Sequence, residues 1–227
     1  MQAFAKVTTG EVGVREQLAL LGLTPEDLME AIRFGETHRA LCTPDDPRGF
    51  PGMTAWARTV RGLRSGRLRT EGWTADDTGN YPTLVNPDKT LAIAVCTGDN
   101  LTGKYDPDRP NDKPKLKYTK GSMTIEAVER NSSTPYLFPE MNEDAKAKRA
   151  KIEAAANRIT WMLMRRRDGD ALFSEFSLPW EISDAGQVED WKHRIILDPL
   201  DVDPIPMLSD DSGEDPGDVI EVPVQRR

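Results

Sequence analysis

The run of residues 90–96 constrains the fold more than any other part of the chain. It reads TLAIAVC, and a strand this apolar is typical of one that is covered on both faces of a sheet. A second apolar run at 81–85 precedes it, and residues 86–89 between the two runs, NPDK, have favourable turn chemistry. The sequence therefore predicts a β-hairpin whose second strand is central in the sheet.

Further strand patterns extend this sheet. A second hairpin is predicted from residues 159–166 and 171–178 around a turn at Asp168 and Gly169, and residues 195–197 resemble a final strand. We therefore expect an α+β fold, with an antiparallel sheet of about four to six strands built from two hairpins and with the helices packed on one side.

The helices are predicted from capping residues and apolar periodicity. Thr24 followed by Pro25 is a strong helix start, because threonine caps free amide groups and proline fits the first turn. Apolar residues recur on one helical face between Met53 and Leu63. The predicted helices are residues 14–21, 24–41, about 53–63 and 142–158.

The net charge of −8 over 227 residues is unevenly distributed along the chain. Residues 199–227 hold eight acidic residues, two arginines and five prolines, a composition that buries too little apolar surface to offset the entropy lost on ordering. We therefore expect an N-terminal helical segment at 1–42, an α+β core domain at 43–198 and a disordered acidic tail at 199–227.

Composition also limits the cellular location and the cofactors that we expect for this protein. No run approaches the roughly 20 apolar residues that span a bilayer, and no signal peptide is apparent at the N-terminus. Cys42 and Cys96 do not form a disulfide framework, and His38 and His193 lack the spacing of a zinc site. We expect a cytoplasmic protein with no membrane contact and no cofactor.

Basic residues concentrate in two segments. Residues 48–73 hold six arginines against one acid, and residues 104–120 hold six basic residues against three aspartates, interleaved with two tyrosines. Such segments suit contact with phosphates and stacking on bases, although most charge runs are solvated faces. The expected DNA- or RNA-binding residues are Arg58, Arg61, Arg64, Arg67, Arg69, Lys113, Lys115, Lys117 and Lys120.

The residues 98–104 match the first seven positions of a phosphate-binding loop, G-x4-G-K. That loop needs a hydroxyl residue next and then a helix. Tyr105 follows instead, and Pro107 and Pro110 disfavour the helix. A turn that leaves the central strand is the favoured interpretation.

A metal-dependent nuclease or nucleotide-processing enzyme is an alternative function. It would use Asp88, Asp99 and neighbouring carboxylates, together with Lys104. Asp-x-Lys sequences also occur at 144–146 and 190–192. Metal chemistry requires carboxylates that converge within a few ångströms, and spacing along the chain does not establish convergence.

Short motifs spread over residues 45–200 carry a resemblance. They are GF at 49–50, WAR at 56–58, RGLR at 61–64, EGW at 71–73, NPD at 86–88, IAV at 93–95, TGD at 97–99, RDGD at 167–170, LP at 178–179 and IIL at 195–197. This pattern resembles uncharacterised proteins of bacteria and their phages or mobile elements. The resemblance implies an accessory protein in a phage or genome-conflict setting, and it implies no particular activity.

The leading interpretation is a non-enzymatic binding or accessory protein of bacterial or phage origin that contacts nucleic acid through the basic helix and loop. A protein–protein adaptor is a further alternative, in which the acidic tail or a tryptophan-bearing surface engages a protein partner. An acidic tail tethered to a basic surface can also shield that surface, because tethering raises its effective concentration.

Overall fold

A computed structural model of the protein describes residues 5–133 and 158–202. Within these residues one sheet of seven strands is accompanied by four longer helices and one single-turn helix. The strands are β1 (Lys6–Thr8), β2 (Thr74–Asp76), β3 (Thr83–Val85), β4 (Leu91–Thr97), β5 (Ile159–Asp168), β6 (Ala171–Ile182) and β7 (Val188–Asp201). The helices are α1 (Glu11–Ala19), α2 (Pro25–Arg39), α3 (Phe50–Ser65), the single turn α4 (Arg67–Thr70) and α5 (Ser122–Ser133).

The sheet is mixed, with strand order β1-β7-β6-β5-β4-β3-β2. Strand β4 runs parallel to β5, and β1 runs parallel to β7, whereas the other neighbours are antiparallel. Both predicted hairpins are present, as β3–β4 and β5–β6. Residues 91–96 of β4 are all buried, so the prediction of a central apolar strand is confirmed.

The predicted antiparallel sheet of four to six strands was wrong in both size and direction. Strands β1 and β2 have three residues each, which is too short to produce a readable alternation. Strand β7 has fourteen residues, but buried Asp190 and Arg194 interrupt its apolar pattern. The chain between β4 and β5 contains helix α5, and a long crossover of this kind permits parallel pairing.

The helices lie on both faces of the sheet, so the prediction of one-sided packing was also wrong. Along β5, Trp161 and Leu163 pack in the cluster with residues of α1, α2 and α3. The alternating residues Met162 and Met164 point to the opposite face and pack with Val128 of α5. The described residues therefore form three layers, and the boundary expected at residues 42/43 stays a prediction.

Helix α2 begins as the sequence predicts. Asp27 N–H donates to the Thr24 hydroxyl, and Thr24 N–H donates to the Asp27 carboxylate at 2.8 Å, which completes a capping box. Most of the helix predicted at 142–158, and the chain beyond residue 202, lie outside the described residues. None of the described helices is long and apolar enough to cross a membrane, and the cytoplasmic location stays a prediction.

We expect His193 to make stability depend on pH. Its ring is 1% exposed, and the Thr8 hydroxyl lies 2.9 Å from Nε2. Burial, together with the charge of Lys6, lowers the pKa of His193 from 6.5 to about 4. The unfolded chain binds this proton below about pH 6.5. The contribution to stability is therefore complete above that pH and is lost as the pH falls toward 4, by about 3 kcal/mol in total.

Urea unfolding of the wild type and of His193→Gln between pH 7 and 4 measures this dependence. In the wild type the free energy of unfolding should fall over that interval, and in the variant the fall should be smaller by about the amount given above. Equal slopes for the two proteins would show that His193 is not the responsible group.

Candidate functional site: a pocket at the edge of strand β4

A gap in the pairing of β4 creates a pocket. The outer neighbour β3 begins at Thr83, opposite Ala94. The chain then returns to this edge at Thr97, whose carbonyl accepts from the Lys117 N–H at 3.0 Å, and at Gly98, which forms a bridge with Leu116. A cavity of about 290 Å³ lies along the intervening residues of β4, and we call it the edge pocket.

The walls of the edge pocket are largely aromatic and apolar. Trp56 of α3 lines it, and its indole N–H donates to the Val95 carbonyl at 3.0 Å, which occupies a backbone acceptor on β4. Pro82, Tyr81 and Met123 form further parts of the wall. Since α3 and α5 cover opposite faces of the sheet, the pocket joins the two helical layers around the edge of β4.

The polar end of the edge pocket is cationic. It is lined by Lys120, Ser122 and Thr124, which lie just before and within the first turn of α5. The N-terminus of a twelve-residue helix carries a partial positive charge, and at this one the Thr124 N–H already donates to the Gly121 carbonyl at 3.0 Å. The lysine and the helix end therefore present positive potential to the same cavity, which favours an anionic group.

Tyr81 places a buried hydroxyl at this pocket. The Tyr81 oxygen is shielded from solvent and makes no hydrogen bond of ordinary geometry in the described part of the chain, and the Thr124 side chain is its nearest hydrogen-bonding neighbour. Burial raises the pKa of Tyr81, and the neighbouring Cys96 contributes in the same direction, so the phenol stays protonated. A buried hydroxyl that is poorly satisfied costs free energy, up to about 1–3 kcal/mol when it has no partner at all, and a ligand acceptor in the pocket would remove that cost.

Cys96 forms part of the wall and is not an activated nucleophile. Its side chain is 3% exposed, and burial raises the pKa of the thiol, with Lys120 opposing this to a lesser degree. A thiol in that state reacts poorly, because the thiolate is the nucleophile. Cys96 packs with Met162 and Met164 as a small core residue.

Two glycines hold the segments around the pocket in close contact. The Lys120 N–H donates to the Gly186 carbonyl at 2.9 Å, and a Cβ at Gly186 would lie 1.9 Å from the Lys120 carbonyl oxygen. Gly79 has φ +63°, and a Cβ there would lie 2.7 Å from the Met123 sulfur. The backbone of Lys120 is thereby fixed by the turn between β6 and β7.

The structure distributes the predicted nucleic-acid-binding residues over two layers. The arginines 58–69 lie on α3 and α4, and the lysines 113–120 lie in the segment before α5. Three of them already form ion pairs: Arg64 with Asp77 at 2.7 Å, Arg67 with Asp27 and Glu71, and Lys113 with Asp190 at 2.6 Å. Arg61, Arg69, Lys115 and Lys117 are exposed, Arg58 is half-buried, and only Lys120 lines the edge pocket.

The residues 98–104 form a turn rather than a phosphate-binding loop, as the favoured interpretation predicts. Gly103 N–H donates to the buried Glu175 carboxylate at 2.9 Å, and the Lys104 ammonium pairs with Asp168 at 3.3 Å. The next helix begins only at Ser122. Through these contacts the residues of the motif attach the loop to the sheet.

The carboxylates proposed for metal chemistry are not brought together. Asp88 lies in the turn before β4, and Asp99 lies beyond its other end. The Asp190 carboxylate accepts a hydrogen bond from the Lys113 ammonium at 2.6 Å. The Lys192 ammonium lies 4.6 Å from the Trp180 ring centroid. Throughout residues 5–133 and 158–202, no three His, Cys, Asp or Glu side chains are grouped to hold a metal ion. The pair at 144–146 lies outside the described residues.

Comparisons of the chain with protein-family models, with curated proteins and with solved structures found no match. The resemblance to uncharacterised bacterial and phage proteins therefore stays a prediction. The edge pocket and the charged surfaces around it are therefore the features of the described structure that bear on function.

Proposed function

We propose that this protein binds a small anionic ligand in the edge pocket, with a phosphate or carboxylate at the polar end and an apolar or ring-shaped portion against Trp56. The observation that carries the proposal is the buried Tyr81 hydroxyl, which makes no hydrogen bond of ordinary geometry among the described residues and belongs to a residue that lines the same cavity as Lys120 and Thr124. A hydroxyl donor, an ammonium group and a helix N-terminus together complement one anionic head group.

The size and lining of the pocket support the same class of ligand. Its volume of about 290 Å³ is close to the lower bound of about 300 Å³ for ligand sites. Ligand pockets are mostly apolar and carry a few placed polar groups, which matches an aromatic wall with one lysine. The Cys96 thiol in the pocket wall does not supply a nucleophile to a bound ligand, since burial keeps it protonated.

Titration of the full-length protein with inorganic phosphate and with adenosine monophosphate tests this proposal. Binding is followed by the amide NMR shifts of Ser122, Met123 and Thr124 in the first turn of α5. We expect Lys120→Ala to weaken binding about tenfold, which corresponds to about 1.4 kcal/mol, because it removes the only full positive charge lining the described pocket. Adenosine monophosphate should bind more tightly than phosphate if its ring contacts Trp56.

Lys115→Ala is the matched control for this titration. Lys115 is exposed, lies in the same segment and does not line the pocket, so its removal should leave phosphate binding unchanged. Equal effects of the two substitutions would reveal general charge attraction rather than a site. The absence of shifts at α5 in the wild type would contradict the proposal.

Contact with nucleic acid is a second candidate function, and one feature favours it. The exposed Lys115, Lys117 and Tyr118 lie in the segment that continues into Lys120, so a single strand could follow this segment with one nucleotide in the pocket. Replacing Lys115 and Lys117 together with Ala should then weaken oligonucleotide binding and lower its salt dependence, while phosphate binding stays unchanged. An unaltered salt dependence would exclude this path for the strand.

A further inference from the structure

The junction between α2 and α3 exposes a group of apolar side chains. Leu41, Phe50 and Met53 are 73%, 44% and 62% exposed. The helices cross with Ala31 against Gly62 and with Gly35 against Thr59, and this antiparallel register brings the end of α2 beside the start of α3. The three side chains therefore share one end of the helical layer.

Arginines lie beside these apolar residues. The buried Glu36 carboxylate lies 2.5 Å from Arg165, 3.5 Å from Arg167 and 3.8 Å from Arg39. Arg165 also donates to the Gly52 carbonyl at 3.4 Å, which ties the cluster to the first turn of α3. Three guanidinium groups thus lie within 4 Å of one carboxylate, and the side chains of Arg39 and Arg167 are 16% and 14% exposed. We call Leu41, Phe50, Met53, Arg39 and Arg167 the elbow surface.

The chain leaves the described structure next to this surface. Val202 follows the last residue of β7, and its N–H donates to the Asp170 carbonyl at 2.9 Å, three residues beyond Arg167 in the β5–β6 hairpin. Val202 also packs against the core cluster on the face that α1, α2 and α3 cover. An extended chain spans about 3.3–3.6 Å per residue, so five residues beyond Val202 give a reach of about 17 Å.

The composition of that segment complements the elbow surface. Ile205, Met207 and Leu208 supply apolar side chains. The acidic residues that follow them are Asp210, Asp211, Glu214, Asp215 and Asp218. An apolar stretch followed by carboxylates complements a surface on which apolar side chains lie beside arginines. Arginine is enriched at interfaces, and its planar guanidinium group pairs well with carboxylates.

We propose that residues 203–218 of this chain dock on the elbow surface, with 205–208 against Leu41, Phe50 and Met53 and with the acidic residues toward Arg39 and Arg167. Tethering gives the segment a high effective concentration at this surface. The bound segment occludes the elbow surface, so an acidic protein partner gains access to it only by displacing the segment.

Paramagnetic broadening in the full-length protein tests the docking. A nitroxide spin label is attached at Ser212→Cys in a Cys42→Ser background, where the remaining Cys96 is buried and protected from labelling. The amide signals of Leu41, Phe50 and Met53 should lose more than half of their intensity relative to the reduced label. Raising the salt concentration should restore them in part, because the charged contacts are screened.

Two substitutions at exposed positions separate docking from chance proximity. Leu41→Ser and Met53→Gln leave the core unchanged, since both side chains are mostly exposed, and together they should at least halve the broadening at Phe50. Tyr118→Ser, an exposed change in the segment on the opposite face, should have no effect. Undiminished signals at the elbow surface, or broadening that persists in the double variant, would overturn the proposal.

Discussion

Replacing Glu175 with Ala is expected to lower the free energy of unfolding by about 3–5 kcal/mol, because it leaves a buried arginine without its counter-charge. Glu175 is 0% exposed and Arg194 is 2% exposed. Arg194 donates to the two carboxylate oxygens at 3.1 and 2.7 Å. The carboxylate also accepts from the Ser177 hydroxyl at 2.7 Å and from the Gly103 N–H at 2.9 Å, so its loss leaves several buried donors without an acceptor.

The matched control is the double variant Glu175→Leu with Arg194→Met. Replacing both charges by apolar groups of similar size removes the burial cost together with the pair, and such exchanges are often neutral or stabilising. The double variant should therefore recover part of the stability lost by Glu175→Ala in urea unfolding, while the Ser177 hydroxyl and the Gly103 N–H still lack the carboxylate acceptor. A loss below about 1 kcal/mol in the single variant would show that Arg194 finds another partner or reaches water.

Replacing Gly35 with Val is expected to destabilise the protein by about 3 kcal/mol or more through overpacking between α2 and α3. A Cβ at Gly35 would lie 2.2 Å from the Thr59 hydroxyl oxygen and 2.6 Å from the Ala55 carbonyl oxygen. The second of these contacts involves helix backbone, which cannot move without separating the two helices. Thr59 is itself 0% exposed and donates to the Ala55 carbonyl.

Gly52→Ala provides a control of opposite sign. A Cβ at Gly52 meets no atom within 4 Å, and the residue lies in the first turns of α3. Alanine is favoured over glycine in a helix by up to about 1 kcal/mol, so this substitution should stabilise the protein slightly. If Gly35→Val and Gly52→Ala changed the midpoint of thermal unfolding alike, the close approach of the helices would not be the cause.

The sequence predicts those parts of the fold in which local chemistry decides the structure. Thr24 and Pro25 mark the start of α2 because a capping box depends only on neighbouring residues. The hairpins β3–β4 and β5–β6 follow from apolar runs that flank short turns. In contrast, β7 contains Arg194, whose burial depends on Glu175 in another strand, and a single-sequence pattern treats such a residue as exposed.

The edge pocket depends on features that periodicity does not encode. It exists because β3 begins at Thr83 and leaves Val95 without a strand neighbour on that side among the described residues. The three residues that then converge, Trp56, Tyr81 and Lys120, come from three separate segments of the chain. Lys120 is one of the nine residues that the sequence predicts to contact phosphate. The position of α5 is what shows that Lys120 lines the pocket and that the other eight do not.

The unfolding of the wild type and of Tyr81→Phe, each over a series of phosphate concentrations, tests the proposed ligand site most directly. Without phosphate, Tyr81→Phe should be more stable than the wild type by up to about 1 kcal/mol, because it removes a buried hydroxyl that makes no hydrogen bond of ordinary geometry among the described residues. Phosphate should stabilise the wild type progressively as its concentration rises above the dissociation constant, and it should stabilise the variant less. A variant that is less stable than the wild type, or an equal gain from phosphate in both proteins, would contradict the assignment of the edge pocket as an anion site.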